Sequence, residues 1–267
     1  MTRNLSLPAR LALLVAGTML PMILFAGGVV YLNHTHEREA AFDRVLETVR
    51  GVRLVLDAEM QGITAGLEVL AASRSLTGGD LEAFRESVDA FQRRFPEGAS
   101  ISLATHDGRQ LLNSNAAPGA PLPARVNRAS IDEVFRTGRP SYSNLFVGSV
   151  THQRIITVSV PVVRNGSVIY ELSFNPPLAL FQDIIQRQRP DDEWTMSIFD
   201  AMGVNFARVP NPEQTIGQRA SPTLYAHLFH ETEAKVEVVS REGAPLITAF
   251  TRSPVTGWTV AAGLPVA

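Results

Sequence analysis

Residues 11–32 read LALLVAGTMLPMILFAGGVVYL and contain no charged side chain. A helix of about 20 apolar residues can cross the ~30 Å hydrocarbon core of a bilayer, so this stretch predicts a transmembrane helix. Pro21 lies in its middle, where membrane helices tolerate proline because neighbouring groups satisfy the freed backbone. No helix-stopping signal follows, and an amphipathic segment continues to about Leu76. We therefore expect the chain to begin with one long helix.

The residues flanking the span predict its orientation. Arg3 and Arg10 precede it, and a polar segment begins after it at Asn33. The positive-inside rule then places residues 1–10 in the cytoplasm and residues 33–267 outside the membrane. The alternative is a cleaved signal peptide with its cleavage site at Ala26-Gly27-Gly28, but the apolar run exceeds the roughly 7–15 residues of a typical signal-peptide core.

The composition excludes several classes of function. The 267 residues contain no cysteine, which excludes disulfides, thiolate zinc sites and a cysteine nucleophile. The net charge is −2 and the basic residues are scattered, so we expect no nucleic-acid partner.

No hydrolase signature such as G-x-S-x-G occurs. His227 and His230 share a helix face but lack a third ligand, and a solvated role is favoured over metal binding. We expect no catalytic residues, no metal and no cofactor.

Residues 33–79 are predicted to form a stalk and spine helix. Its first apolar residues alternate steps of three and four, the 3.5-residue period of a coiled coil. They are Phe42, Val45, Val49, Val52 and Leu56. Beyond Leu56 the stripe moves to Met60 and Leu67, as in a helix that packs on a globular body. Two interpretations stay open: the first half is a homodimer seam, or the whole helix packs only on its own chain.

Two α+β units follow, at residues 80–188 and 189–267. Each has a hairpin, a short helix and three antiparallel strands. In the first unit His106-Asp107-Gly108 predicts the hairpin turn, and Asn165-Gly166 predicts a type I′ turn between its last two strands. A polar break at 189–192 separates the units. Repetition of one plan at about 80–90 residues predicts two tandem copies of an α+β module.

This order of elements resembles the double Cache sensor domain, the PAS-like extracytoplasmic domain of bacterial membrane receptors, and most of all those of sensor histidine kinases. The stretches that carry the resemblance are Ser143–Gly148, Val158–Val162 with Asn165-Gly166, Ile198–Asp200, and Arg252–Val260 with Gly263–Pro265. The resemblance implies a membrane-distal module at 80–188 and a membrane-proximal module at 189–267. It also implies a non-catalytic sensor in a single-pass segment of a bacterial inner-membrane receptor. A longer parent protein would carry a histidine kinase, a diguanylate cyclase or another output module.

The predicted ligand site lies on a polar strand face of the distal module. Residues 142–147 and 154–163 are predicted strands, and alternation puts Thr157 and Ser159 on the face opposite Val158. Tyr142, Asn144 and Arg154 would add a ring, an amide and a guanidinium that matches a carboxylate. The predicted ligand-binding residues are therefore Tyr142, Asn144, Arg154, Thr157 and Ser159. For Arg154 the alternative is an exposed strand-end arginine, and for Tyr142 it is a core residue.

The leading hypothesis is a sensor that binds a small polar solute, such as a carboxylate, in the distal module. Binding would bias the packing of helices in a homodimer and relay the signal across the membrane. The amino-acid-binding signature of the family is not evident, so an amino acid is one option among several. A second hypothesis is a ligand-free dimerisation or periplasmic protein-interaction module. A third, a secreted enzyme, would require a cluster of perturbed ionisable groups.

Overall fold

A computed structural model describes the backbone of residues 7–266 and the side chains of residues 17–20, 22, 25 and 37–266. The chain divides into two units, residues 1–44 and 45–267, and every contact described below lies within the second. Within the described residues, none of the helices combines the length and apolar character needed to cross a membrane. Most side chains of the predicted span 11–32 lie outside the described residues, so the span stays a prediction.

Three helices precede the first sheet. Helix α1 runs over Leu7–Ala71, α2 over Arg74–Gly78 and α3 over Leu81–Gln92. Asp80 is the N-cap of α3, where short polar side chains are preferred. Its Oδ1 accepts the N–H of Ala83 at 3.0 Å. The continuous helix predicted to about Leu76 is therefore corrected, because α1 ends at Ala71 and a separate short helix, α2, occupies Arg74–Gly78.

We keep the expected names, distal for residues 80–188 and proximal for residues 189–267, as labels for the two modules. The distal module follows the predicted order, with one correction. Its elements are β1 Ser100–Ala104, β2 Gln110–Asn113, α4 Arg128–Thr137, β3 Ser141–Tyr142, β4 Phe146–Val147, β5 Arg154–Ile155, β6 Val158–Arg164, β7 Ser167–Asn175 and α5 Leu178–Gln188. The strands predicted at 142–147 and 154–163 are each divided in two. The backbone leaves the main sheet after Tyr142 because the N–H of Leu145 donates to the carboxylate of Asp200 at 2.9 Å rather than to a neighbouring strand. Strands β4 and β5 pair with each other in a separate two-stranded sheet.

The proximal module repeats the architecture of the distal one. Its elements are β8 Thr195–Phe199, β9 Asn205–Val209, α6 Pro222–Leu228, β10 Glu233–Val239, β11 Pro245–Arg252 and β12 Thr259–Pro265. The distal sheet has the order β2-β1-β7-β6-β3 and the proximal sheet has the order β9-β8-β12-β11-β10. In both, the hairpin of the first two strands pairs through its first strand with the last strand of the module. The duplication predicted from the sequence is confirmed. The Asn165-Gly166 turn also has the predicted positive φ angles, 51° and 77°.

One apolar face of α1 packs inside the chain. Among its described side chains, six are fully buried in the isolated chain: Val45, Val49, Val52, Leu56, Met60 and Leu67. The helix contacts the proximal module through a hydrogen bond from Ser253 to Asp57 and an Arg50–Glu233 ion pair at 2.5 Å, and it contacts the distal module through the Thr64 hydroxyl, 2.9 Å from that of Tyr142. For the residues from Val45 to Leu56, the structure therefore supports the interpretation in which the helix packs on its own chain.

Candidate ligand-binding site

A polar face crosses the three central strands of the distal sheet. Every second residue of a strand points the same way, so polar residues at alternate positions share one face. They are Ser100 and Ser102 on β1, Ser159 on β6, Glu171, Ser173 and Asn175 on β7, and Thr157 next to β6, none more than 7% exposed. The strand register sets Ser102 and Ser159 on either side of Ser173. The polar pattern predicted for one strand thus extends over three.

Arg125 lies over this face and connects its polar groups. It comes from the segment between β2 and α4, is 8% exposed, and donates through Nη1 to the hydroxyls of Ser102 and Ser173. Nη1 and Nη2 each lie 3.4 Å from a carboxylate oxygen of Glu171, which is fully buried and also accepts a hydrogen bond from Ser159 at 2.6 Å. Because buried charges are tolerated only when they are paired and hydrogen-bonded, Arg125 and Glu171 depend on each other.

A chain of side-chain hydrogen bonds completes the polar face. Thr157 Oγ1 donates to Asn175 Oδ1 at 2.6 Å, and Asn175 Nδ2 donates to Ser100 Oγ at 2.8 Å. The structure therefore brings the predicted residues Thr157 and Ser159 onto one polar face, where both are fully buried and bonded to their neighbours.

A cavity lies beside the polar face. It holds about 370 Å³ of empty space, part of it open to solvent. Its polar lining includes Ser100, Ser102, Gln110, Asn113, Arg125 and Asn175. Among the described residues of this lining, Arg125 alone carries a charge. Hydroxyls, amides and one guanidinium can hydrogen-bond a small polar molecule, and the planar guanidinium matches a carboxylate. We call this space the distal cavity.

No protein-family model and no curated protein sequence matches this chain. Solved structures do match. The ligand-binding domain of Mlp24 with asparagine superimposes with a TM-score of 0.65 at 17% identity, over 86% of this chain and 94% of that one. The ligand-binding domain of the Pseudomonas fluorescens chemoreceptor CtaA in complex with L-isoleucine has a TM-score of 0.67 at 13% identity, over 87% of this chain and 95% of that one. An extracellular domain assigned to the histidine kinase mmHK1S-Z2 has a TM-score of 0.66 at 14% identity, over 85% of this chain and 97% of that one. The chain has the double Cache fold. The resemblance predicted from the sequence is confirmed at the level of the fold.

Tyr142 lies between α1 and the proximal module of this double Cache fold. Its hydroxyl is 2.9 Å from that of Thr64 on α1, and its ring packs edge-on against Trp258 with centroids 6.1 Å apart. Burial raises the pKa of the Tyr142 hydroxyl, and the hydrogen bond to Thr64 offsets part of this rise. These contacts agree with the alternative in which Tyr142 is a packing residue.

Asn144 and Arg154 also reach the proximal module. Asn144 Oδ1 accepts the N–H of Ala201 at 3.1 Å. Arg154 is exposed, and its guanidinium lies over Gly217, where an added Cβ would be 2.6 Å from Nε. None of the five predicted residues is part of the described lining of the distal cavity, although Ile155, next to Arg154, is. Their role as ligand contacts stays a prediction.

The segment that carries Tyr142 and Asn144 joins the two modules, and we call it the module junction, residues 142–145. Trp258 Nε1 donates to the carbonyl of Ser143 at 3.1 Å. The carboxylate of Asp200 accepts the N–H of Leu145 at 2.9 Å. Sequence reasoning missed Arg125 and Glu171 as the charged centre of the site. Alternation along β7 carried a signal for Glu171, since Ser173 and Asn175 follow it on the same face, whereas the loop around Arg125 carried none.

Proposed function

We propose that this double Cache domain is the extracytoplasmic ligand-sensing region of a membrane-bound signal-transduction receptor. The observation that carries the proposal is the distal cavity, which lies against a buried polar face and presents Arg125. Solved domains of the same fold belong to chemoreceptors and histidine kinases and include ligand-bound forms. In this proposal the chain itself is a non-catalytic sensor, and a longer parent protein carries a histidine kinase or diguanylate cyclase.

The chemistry of the distal cavity favours a small polar solute that bears a carboxylate. Arg125 faces the cavity with a guanidinium, while Glu171 behind it balances the positive charge. A ligand with a carboxylate and a compensating polar or cationic group would therefore fit better than a polyanion. The asparagine and L-isoleucine found in two of the matching structures are of this type.

The topology proposed from the sequence accompanies this role. Residues 1–10 lie in the cytoplasm, residues 11–32 cross a bacterial inner membrane, and residues 33–267 lie in the periplasm or outside the cell. The positive-inside pattern of Arg3 and Arg10 supports this orientation. The extracellular origin of the matching histidine kinase domain supports the placement of the sensory part.

A homodimer through α1 is also part of the proposal. Its seam is not the buried stripe from Val45 to Leu56 but a second stripe of the same helix. Small and apolar residues on the opposite face of α1 alternate steps of four and three, and all are exposed. They are Gly51, Val55, Ala58, Gly62, Ala65 and Val69. This period matches a coiled-coil seam, and glycine and alanine let two helices approach closely. We call these residues the α1 stripe, and its proposed partner is the same stripe of a second copy.

Ligand binding is tested on the full chain in detergent micelles. Amino acids and small carboxylates are screened by thermal shift and the hits measured by calorimetry. Val126 lines the distal cavity and is 60% exposed, so Val126→Trp should obstruct the cavity without disturbing the buried network. Val163→Trp, at a 50% exposed position on β6, is the matched control. We expect Val126→Trp to abolish binding and the control to retain it. A Val126→Trp protein that binds every hit as tightly as the wild type would refute the assignment of the cavity.

The dimer is tested with single cysteines, which the cysteine-free chain allows. Ala58→Cys lies on the α1 stripe, and Glu68→Cys is exposed about a quarter of a turn away from it. Mild oxidation should cross-link the first variant in the membrane and leave the second monomeric. Equal cross-linking of both variants would argue against this seam.

A further inference from the structure

A second cavity lies in the proximal module. It holds about 490 Å³ of empty space, part of it open to solvent, over the sheet face that also packs on α6. Ser197 and Phe199 of β8 and Ala261 and Gly263 of β12 form its floor. We call this space the proximal cavity.

Unpartnered polar atoms are concentrated at the proximal cavity. In the part of the chain that the structure describes, four buried side-chain polar atoms have no hydrogen-bond partner, and three of them belong to residues that line this cavity. These are Asn205 Oδ1, Arg208 Nε and Thr248 Oγ1, in residues that are 2%, 9% and 3% exposed. Buried polar groups are nearly always hydrogen-bonded, because leaving one unpaired costs free energy. Three such atoms around one cavity indicate a place for a polar ligand.

Arg208 is the charged group of this set. Its Nη2 donates to Glu242 Oε1 at 2.9 Å, and the Glu242 side chain is 48% exposed. Burial lowers the pKa of the Arg208 guanidinium, and the attraction of Glu242 offsets only part of this effect. An anion bound next to Nε would supply the missing acceptor and further stabilise the buried cation.

Two more arginines make the mouth of the proximal cavity basic. Arg241 donates to the carbonyl of Arg219 and to Gln218 Oε1, both neutral acceptors. The guanidinium carbon of Arg219 lies 5.4 Å from the ring centroid of Tyr225. Arg219 and Arg241 line the cavity together with Arg208. This surplus of positive charge favours an anionic ligand.

One wall of the proximal cavity is apolar. Phe199, Leu224, Val238 and Leu246 belong both to its lining and to the hydrophobic cluster beneath α6. We propose that the proximal module binds a small aliphatic monocarboxylate in this cavity, with its carboxylate on Arg208 and its hydrocarbon chain against the apolar wall. The site is separate from the distal cavity, so the domain would respond to two ligands.

Propionate is the probe, and propionamide, which has nearly the same shape but no charge, is its control. Binding to the full chain is measured by calorimetry and saturation-transfer NMR. Because hydrogen bonds to charged groups contribute about 1.5–3 kcal/mol, Arg208→Gln should weaken propionate binding by about tenfold or more, as should replacing propionate with propionamide. Arg164→Gln, at an exposed arginine on β6, should leave the affinity unchanged.

A second variant keeps the test decisive if Arg208→Gln does not fold. Ser197→Leu fills the floor of the proximal cavity without removing a charge, and we expect it to abolish propionate binding while its circular dichroism stays that of the wild type. Val126→Trp, which obstructs the distal cavity, should leave propionate binding intact. No binding of propionate to the wild type, unchanged binding to Ser197→Leu, or loss of binding in Val126→Trp would each overturn the proximal site and leave the distal proposal standing.

Discussion

Glu171→Gln tests the charged centre of the distal module. The carboxylate is fully buried and lies 3.4 Å from the Arg125 guanidinium. An amide can still accept the hydrogen bond from Ser159, so the substitution removes mainly the charge. At an effective dielectric constant of about 20, two charges at this distance attract by about 5 kcal/mol. Breaking a buried pair from one side costs about 3–5 kcal/mol, which for a domain of this size lowers Tm by about 6–20 °C.

Thermal and urea unfolding of the full chain at pH 7 measure this loss. Glu97→Gln, at an exposed glutamate, is the control and should change stability by less than about 0.5 kcal/mol. The double variant Arg125→Met/Glu171→Gln should recover much of the loss, because it leaves no buried charge unpaired. A loss below about 1 kcal/mol in Glu171→Gln, the range of surface ion pairs, would refute the assignment of a buried, mutually dependent pair.

Three further predictions concern the cap of α3, a hydrogen bond between the two modules and an ion pair between α1 and the proximal module. Asp80→Ala removes the α3 cap and should cost about 1 kcal/mol in thermal unfolding, whereas Asp80→Asn should cost little. Trp258→Phe leaves the carbonyl of Ser143 without its buried donor; we expect a loss of about 1–3 kcal/mol, and an unchanged Tm would contradict the hydrogen bond. The hydrogen bond from Arg50 lowers the pKa of Glu233, so its stabilisation is present above the unfolded pKa of about 4.3 and is lost as the pH falls through the lower folded value. The Tm measured by thermal unfolding should therefore fall less steeply between pH 6 and pH 3 in Glu233→Gln than in the wild type.

The fold could be predicted because its determinants are local. Asn165-Gly166 fixes a turn through the φ angles that these residues accept, and Asp80 caps a helix through its own side chain. Such signals recur in the same order in both modules, so the duplication was visible in the sequence. The division of the predicted strand after Tyr142 was not visible in the sequence. It depends on Asp200, which is distant in sequence and accepts the hydrogen bond of the Leu145 N–H.

The candidate site could be predicted only in part, for the same reason. Alternation correctly placed Thr157 and Ser159 on a polar face. Arg125 follows a loop rich in proline and glycine, where no periodicity indicates which way a side chain points. Its position on Glu171 depends on the path of that loop and on the register of β7. The cavity is therefore a product of tertiary structure that strand alternation alone does not contain.

Helix α1 illustrates a second limit of sequence periodicity. It carries two stripes of nearly the same period, one from Val45 to Leu56 and one from Gly51 to Val69. Periodicity shows that a helix has an apolar face, but it does not say whether that face meets the same chain or another copy. The larger side chains fill the core, where burial of apolar area stabilises most, whereas the smaller ones remain outside.

The module junction connects the strands beside the distal cavity to the proximal module through hydrogen bonds. Phe146 of β4 and Ile155 of β5 line the cavity, and β4 follows directly after Leu145, whose N–H is bound by Asp200. If a ligand repositions β4, there are two outcomes. Either Asp200 moves with Leu145 and keeps this charge-assisted hydrogen bond, or the bond breaks. A hydrogen bond of this kind contributes about 1.5–3 kcal/mol, so a ligand that prefers one state of β4 by about 10- to 100-fold in affinity is sufficient to decide between the two outcomes. We therefore expect the position of Asp200, rather than the core of either sheet, to report whether the distal cavity is occupied.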